Sequence, residues 1–221
     1  PSTSYPEMPE NEHVTMKIAE AFGINTVPNS LIRLNSGELA YITKRIDRTI
    51  DNQKIHMLDM FQITEAVDKY KSTMERVGKA LSQYSADTLM DQLSYFELVV
   101  FCFLTGNNDM HLKNFSMIQA NGKWALSPAY DLLNVNLANP SDKEELALNM
   151  EGKKRKFTRH NFERFGANLG LNSKQIQGVF SRFEKKKSQA LSLLNASFLT
   201  LEGRENYWSI MELRYKAVLG D

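Results

Sequence analysis

The chain has 221 residues, 42% of them hydrophobic and 24% charged, enough apolar material for one large domain or two lobes and too much for a mainly disordered chain. A formal net charge of +1 argues against a dedicated nucleic-acid-binding domain, and the single cysteine, Cys102, excludes an intrachain disulfide and fits a reducing cytoplasm. The longest apolar run, 98–104, falls far short of the roughly 20 residues a membrane-spanning helix needs, and no signal-peptide pattern opens the chain, so a soluble protein is expected.

The opening Pro1-Ser2-Thr3-Ser4-Tyr5-Pro6 reads as a loop continuing from something before it, so residues upstream are expected. A first helix follows, with Val14, Ile18, Ala21 and Phe22 on one face and Gly23 as its stop. Residues 30–34 and 39–43 are β-rich and separated by Asn35-Ser36-Gly37, a turn signal that makes them a hairpin. Residues 44–48 leave it as a polar connector. Helical spacing is then expected over 55–63, 73–84 and 85–105, the last with Ser85 as cap. Two short strands, 115–119 and 123–126, joined at Ala120-Asn121-Gly122, interrupt the helices. From Thr158 the chain returns to helices, with Thr158 and Ser173 as N-caps, ending in 191–199 and 207–219.

The chemistry concentrates between those helices. Gly106-Asn107-Asn108-Asp109-Met110-His111-Leu112-Lys113-Asn114 sets a carboxylate and a carboxamide at the spacing of a kinase catalytic loop, just before a strand. Phosphoryl transfer needs one carboxylate to orient and deprotonate the attacking hydroxyl, and oxygen ligands to hold Mg²⁺ against the phosphates. Asp109 suits the first task and Asn114 the second. Asp131, after the hairpin in Leu126-Ser127-Pro128-Ala129-Tyr130-Asp131, stands where a kinase places its second metal-binding aspartate. An Asp-x-x-x-x-Asn spacing alone is weak, since both residues are common in loops; the order helix, Asp109, Asn114, hairpin, Asp131 is what gives it weight.

Those two segments resemble the HipA family of bacterial serine/threonine kinase toxins. The resemblance extends to Met8-Pro9-Glu10-Asn11-Glu12, Arg45-Ile46-Asp47-Arg48, Leu58-Asp59-Met60-Phe61-Gln62 and Gly152-Lys153-Lys154, most of the chain. It implies an α+β, protein-kinase-like fold: 1–47 as part of a small β-containing N-lobe ending in a hinge, and 48–221 as a mostly helical C-lobe. It implies ATP and Mg²⁺ as cofactors, Asp109 as catalytic base, Asn114 and Asp131 as Mg²⁺ ligands, and His111 and Tyr130 near the nucleotide. The hinge would offer backbone groups to adenine near Lys44 and Ile46, with Asp47 near the ribose. The family often carries Glu and Phe where this chain has Lys44 and Ile46, and its Gly-rich loop and ATP-binding lysine lie upstream of this segment. Implied partners are a protein substrate such as an aminoacyl-tRNA synthetase and a DNA-binding antitoxin of the HipB type.

Other residues carry more than one reading. Glu12 is expected to act through helix-start electrostatics, with pairing to an upstream lysine as the kinase-like alternative. Lys113 is either solvated or near the transferred phosphate. Cys102 is expected to be inert packing. Lys153, Lys154, Arg155 and Lys156 read as a solvated turn, the alternative being contact with RNA or operator DNA. His13, His56 and His160 lack metal-ligand spacing. For function, a toxin kinase competes with a small-molecule phosphotransferase, which uses the same loop, and with a silent pseudokinase that binds a partner. The polar stretch 134–145 is the expected peptide-binding surface that would separate them.

Overall fold

The structure, a computed structural model, describes residues 5–220; of the opening loop expected over 1–6, residues 1–4 lie outside the described residues. Helix α1 (Met8–Phe22) begins with a proline in its first turn, where the missing N–H costs nothing, and ends at Gly23 in the left-handed region (φ 86°). It buries Val14, Ile18 and Phe22 as the spacing predicts, and also Asn11 and Thr15. Strands β1 (Asn29–Arg33) and β2 (Leu39–Thr43) form the expected antiparallel hairpin, which packs on α1.

The region expected to be helical over 55–63 is divided. Residues Met57–Asp59 form β3 because they pair with the strand that leaves the candidate catalytic loop, Leu58 opposite Met117 and Asp59 opposite Ser116. Asp59 then caps the short helix α2 (Met60–Ile63) in a capping box with Gln62. Periodicity over so short a stretch cannot reveal a distant strand partner. Helix α3 (Met74–Tyr84) is capped by Thr73, whose side chain accepts from the Arg76 N–H.

Helix α4 (Thr88–Leu104) is capped by Asp87, not Ser85. Ser85 instead closes α3, and its hydroxyl donates to the Asp91 carboxylate at 2.6 Å. After a single 3-10 turn (Leu112–Asn114) come β4 (Ser116–Ala120) and β5 (Lys123–Leu126), giving a three-stranded sheet of order β3-β4-β5. The 134–145 stretch contains helix α5 (Val135–Ala138), capped by Asn134. Helix α6 (Arg159–Asn168) is capped by Thr158 as expected, whereas α7 (Ser173–Lys185) is capped by Asn172, with Ser173 its first helical residue. Helices α8 (Lys187–Asn195) and α9 (Leu201–Val218) complete the chain, α8 ending before Leu199 and α9 starting well before Tyr207.

One apolar cluster runs from α1 to α9. Its centre is the second part of α4, where every residue from Tyr95 to Leu104 is buried and all but Glu97 are apolar, as befits a helix segment surrounded by protein. Phe101 meets Phe22 edge-on at 5.6 Å, and Phe22 meets Phe183 at 5.1 Å, so the first and later helices share that centre. Cys102 is wholly buried there, and burial drives its thiol far above the usual range, which makes it packing. No helix among the described residues is long and apolar enough to cross a membrane.

Candidate active site

Helix α4 delivers the chain into the candidate loop. The Asn107 N–H bonds back to the Cys102 carbonyl at 2.8 Å, and Gly106 turns the chain at φ 70°, where a Cβ would come within 2.8 Å of the Asn134 side chain. Beyond that turn the loop is held by its own polar groups. The Asp109 N–H donates to Asn107 Oδ1 at 3.3 Å, the His111 N–H to the Asp109 carbonyl at 2.8 Å, and Asn114 Nδ2 to that same carbonyl at 3.0 Å. Asn114 is therefore tied to the backbone of Asp109, and its side chain also lies beside the Asp131 carboxylate, favouring ionisation there.

Asp131 arrives from the other side. Its segment is pinned where Ala129 bridges to Thr26, with the Val27 N–H on the Ala129 carbonyl at 3.0 Å. Asp131 itself has φ 57°, a left-handed conformation that a short polar side chain tolerates and that occurs where surrounding structure enforces it. Protein atoms crowd its carboxyl and raise its pKa, and the charge of Asp109 adds to the rise. Two carboxylates lining one space, with the Asn114 carboxamide beside the Asp131 carboxylate, form a set that a small hard cation fits. Among the described residues, no three His, Cys, Asp or Glu side chains close a metal cage, so a cation there would take its remaining ligands from phosphate and water, as Mg²⁺ does.

Asp109 and Asp131 line a recess of about 470 Å³ together with Glu12, Tyr70, Asn108, Asp142 and Glu144, over an apolar wall that includes Leu133, Val135 and Ala138. Among the described residues no lysine, arginine or histidine lines it. A polyphosphate can occupy so acidic a space only in company with cations. A second hollow of about 290 Å³, lined by Leu58, Ile63, Tyr84, Met117 and Trp124, is apolar and holds none of these carboxylates.

Glu12 departs from its expected role. The acidic residue in the first turn of α1 is Glu10; Glu12 lies deeper in the helix, on the recess. Burial, reinforced by Asp131, pushes its carboxyl up to about 8, so at neutral pH it holds a proton. Its neighbour Asn11 explains how it is placed. Asn11 Nδ2 donates to the Asn134 carbonyl at 2.9 Å, and the Asn134 N–H returns a bond to Asn11 Oδ1 at 2.8 Å. Both residues are buried, and this reciprocal clamp locks α1 to the segment just beyond Asp131.

The remaining sequence candidates separate into neighbours of the recess and outliers. His111 is buried, with no hydrogen-bond partner for Nδ1 among the described residues, and burial lowers its pKa. The Tyr130 hydroxyl lies 2.6 Å from Ser116 Oγ and donates to the Lys113 carbonyl at 2.9 Å, joining the Asp131 segment to the candidate loop. Lys113 is exposed, its ammonium 5.1 Å from the Phe61 ring. Lys44, Ile46 and Asp47 do not line the recess. Lys44 is exposed, Ile46 packs against the core, and Asp47 is gripped by Arg45 at 2.7 Å and Arg48 at 2.8 Å; the Arg45 hydrogen bond pulls its carboxyl down to about 2. The basic run is a turn in which two of the four cations are engaged, Lys153 donating to the Lys156 carbonyl at 2.8 Å and Lys154 pairing with Glu144 at 3.0 Å, while Arg155 and Lys156 are exposed.

Sequence reasoning missed Tyr70, which donates to Asp109 Oδ1 at 2.8 Å, as well as the Asn11–Asn134 clamp and the Asp142 and Glu144 wall. No local pattern marks Tyr70, which stands in a turn without periodicity.

A family profile described as the HipA-like C-terminal domain matches residues 1–191. A Haemophilus influenzae protein named "Putative kinase" is 27% identical over 225 residues, which cover 88% of this chain and 66% of that protein. Among solved structures, HipA in the Shewanella oneidensis complex of HipA, HipB and operator DNA superposes with a TM-score of 0.84 at 19% identity, over 98% of this chain and 57% of that one. The Helicobacter pylori proinflammatory kinase CtkA superposes with a TM-score of 0.69 at 14% identity, over 97% of this chain and 86% of that one. At such identities the two structures establish the fold, which is kinase-like with helices and two small sheets, and the chain spans about two thirds or less of the Haemophilus and Shewanella proteins.

Proposed function

Because the chain belongs to the HipA-like C-terminal domain family, we propose that it is the catalytic part of an ATP- and Mg²⁺-dependent serine/threonine protein kinase acting as the toxin of a type II toxin–antitoxin pair. The observation that carries this reading is the meeting of Asp109 and Asp131 at one recess, with Asn114 bonded to the Asp109 backbone and beside the Asp131 side chain. Asp109 orients the acceptor hydroxyl and takes its proton as the phosphoryl group departs from ATP. Asn114 and Asp131 hold Mg²⁺, which neutralises charge on the phosphates.

For the nucleotide base we assign the connector after β2, with the lobe boundary at residue 47. The Lys44 N–H is spent on the Pro28 carbonyl at 2.9 Å, which leaves the Lys44 carbonyl for the adenine amine and the Ile46 backbone for the ring. Ile46 would supply an apolar edge, and Asp47, its carboxylate held by Arg45 and Arg48, would lie near the ribose. His111 and Tyr130 support the loop from beneath. An antitoxin of the HipB type is the expected partner by analogy with the Shewanella complex, in the cytoplasm, and an aminoacyl-tRNA synthetase is the expected acceptor protein. The engagement of Lys153 and Lys154 within the turn leaves only Arg155 and Lys156 of the basic run for a nucleic-acid contact.

The test is transfer of labelled phosphate from Mg-ATP by the complete protein in a bacterial lysate, beside its Asp109→Ala variant. Labelling of a protein band that falls by about a thousandfold or more in the variant is expected. Equal labelling by the variant would remove Asp109 from the chemistry, and ATP consumption without labelled protein would point to a small-molecule acceptor.

A further inference from the structure

The turn at 66–72 is a compact polar unit docked on the catalytic loop. The Tyr70 N–H donates to Asp68 Oδ1 at 2.9 Å, and Lys71 reaches Asp68 at 3.6 Å. The turn is fastened to the loop through the backbone, the Leu112 N–H donating to the Lys69 carbonyl at 3.2 Å. It is fastened again by an aromatic contact, the Tyr70 ring standing edge-on to His111 at 5.0 Å and 76°. Thus held, Tyr70 directs its hydroxyl onto Asp109 Oδ1 at 2.8 Å. Among the described residues this is the one side-chain hydrogen bond that the Asp109 carboxylate makes.

We infer that Tyr70 is a positioning residue for phosphoryl transfer: its O–H fixes one oxygen of Asp109 so that the other faces the acceptor hydroxyl. The inference rests on the proposed role of Asp109. A carboxylate free to rotate about its last bond presents its oxygens at random, and a general base must lie within hydrogen-bond reach of the proton it takes. A donor on one oxygen removes that freedom. Tyr70 remains a donor throughout the physiological range, since burial, assisted by Asp109, pushes its hydroxyl up to about 12. Tyr70, 40% exposed, lines the recess beside Asp109, and among the described residues no side chain bonds the second Asp109 oxygen.

The experiment compares the complete protein with Tyr70→Phe, Tyr70→Ala and Asp109→Asn, measuring kcat, KM for Mg-ATP and thermal midpoint. The Phe variant keeps the ring on His111 and loses only the hydrogen bond. A fall in kcat of about ten- to a hundredfold is expected, with KM and thermal midpoint unchanged and no large further loss of kcat in Tyr70→Ala. If Tyr70→Phe keeps full kcat while Asp109→Asn is inactive, the positioning role fails and the role of Asp109 stands. Faster transfer by Tyr70→Phe also overturns the inference, because the hydroxyl would then be a plug in the acceptor's place. Retained transfer in Asp109→Asn overturns both readings together.

Discussion

Helix α4 and the recess it leads into are adjacent in sequence and treat charge in opposite ways. From Tyr95 to Leu104 every side chain of α4 is buried, and its one carboxylate there, Glu97, is met by Arg182 at 2.7 Å. A few residues further on, Asp109 meets Asp131 and Glu12 at a recess that, among the described residues, no lysine, arginine or histidine lines. In the helix, burial of apolar area stabilises the fold and the stray charge is matched. In the recess, like charges are brought together at a cost that a bound cation would relieve. Rigidity in the first region is what allows strain in the second, since α4 fixes the start of the loop that carries Asp109.

The comparison can be broken from the apolar side first. Phe101→Ala removes a fully buried ring from the contact with Phe22 and should cost about 4 kcal/mol of folding stability, read from denaturant midpoints. Asn11→Ala strips the Asn134 N–H of its partner and leaves the Asn134 carbonyl only the longer bond from the Ala138 N–H at 3.4 Å. A loss of about 3 kcal/mol is expected by the same measurement, with phosphoryl transfer falling too, because α1 would no longer be locked beside Asp131. An unchanged midpoint would mean that water replaces the amide and that the clamp is dispensable.

The smallest effect concerns Glu12. Its carboxyl is raised from 4.5 to about 8 in the folded chain, so between those values the folded state holds a proton that the unfolded chain has released. Stability contributed at low pH is therefore lost as pH climbs through that window and changes no further above it. Glu12→Gln should flatten this slope and be the more stable protein at about pH 8.5, while differing little at about pH 4. A slope that persists in the variant would assign the dependence to another group, with Asp131, whose pKa is also raised, as the next to replace.

The candidate loop was legible as a unit because its pattern is local: Asp109 and Asn114 are close in sequence and their loop bonds to itself. The helices with long apolar stripes, α1, α3 and α4, were legible for the same reason, since periodicity is set within each segment. Errors fell where a short segment is decided from outside. Residues Met57–Asp59 became a strand because β4 lies beside them, and Asp87 rather than Ser85 caps α4 because Ser85 is held by Asp91.

Within the recess the same division holds. The sequence by itself determined which side chains can take a proton or hold a cation, and the order in which Asp109, Asn114 and Asp131 follow one another. Only the tertiary structure decided what surrounds them. Asn11 and Asn134 stand 123 residues apart, and Tyr70 and Asp109 are 39 apart, joined by no pattern in either segment. Hydrogen bonds of that kind depend on how packed elements meet, and a carboxyl such as Glu12 acquires its pKa from burial and a neighbouring charge that exist only once the chain has folded.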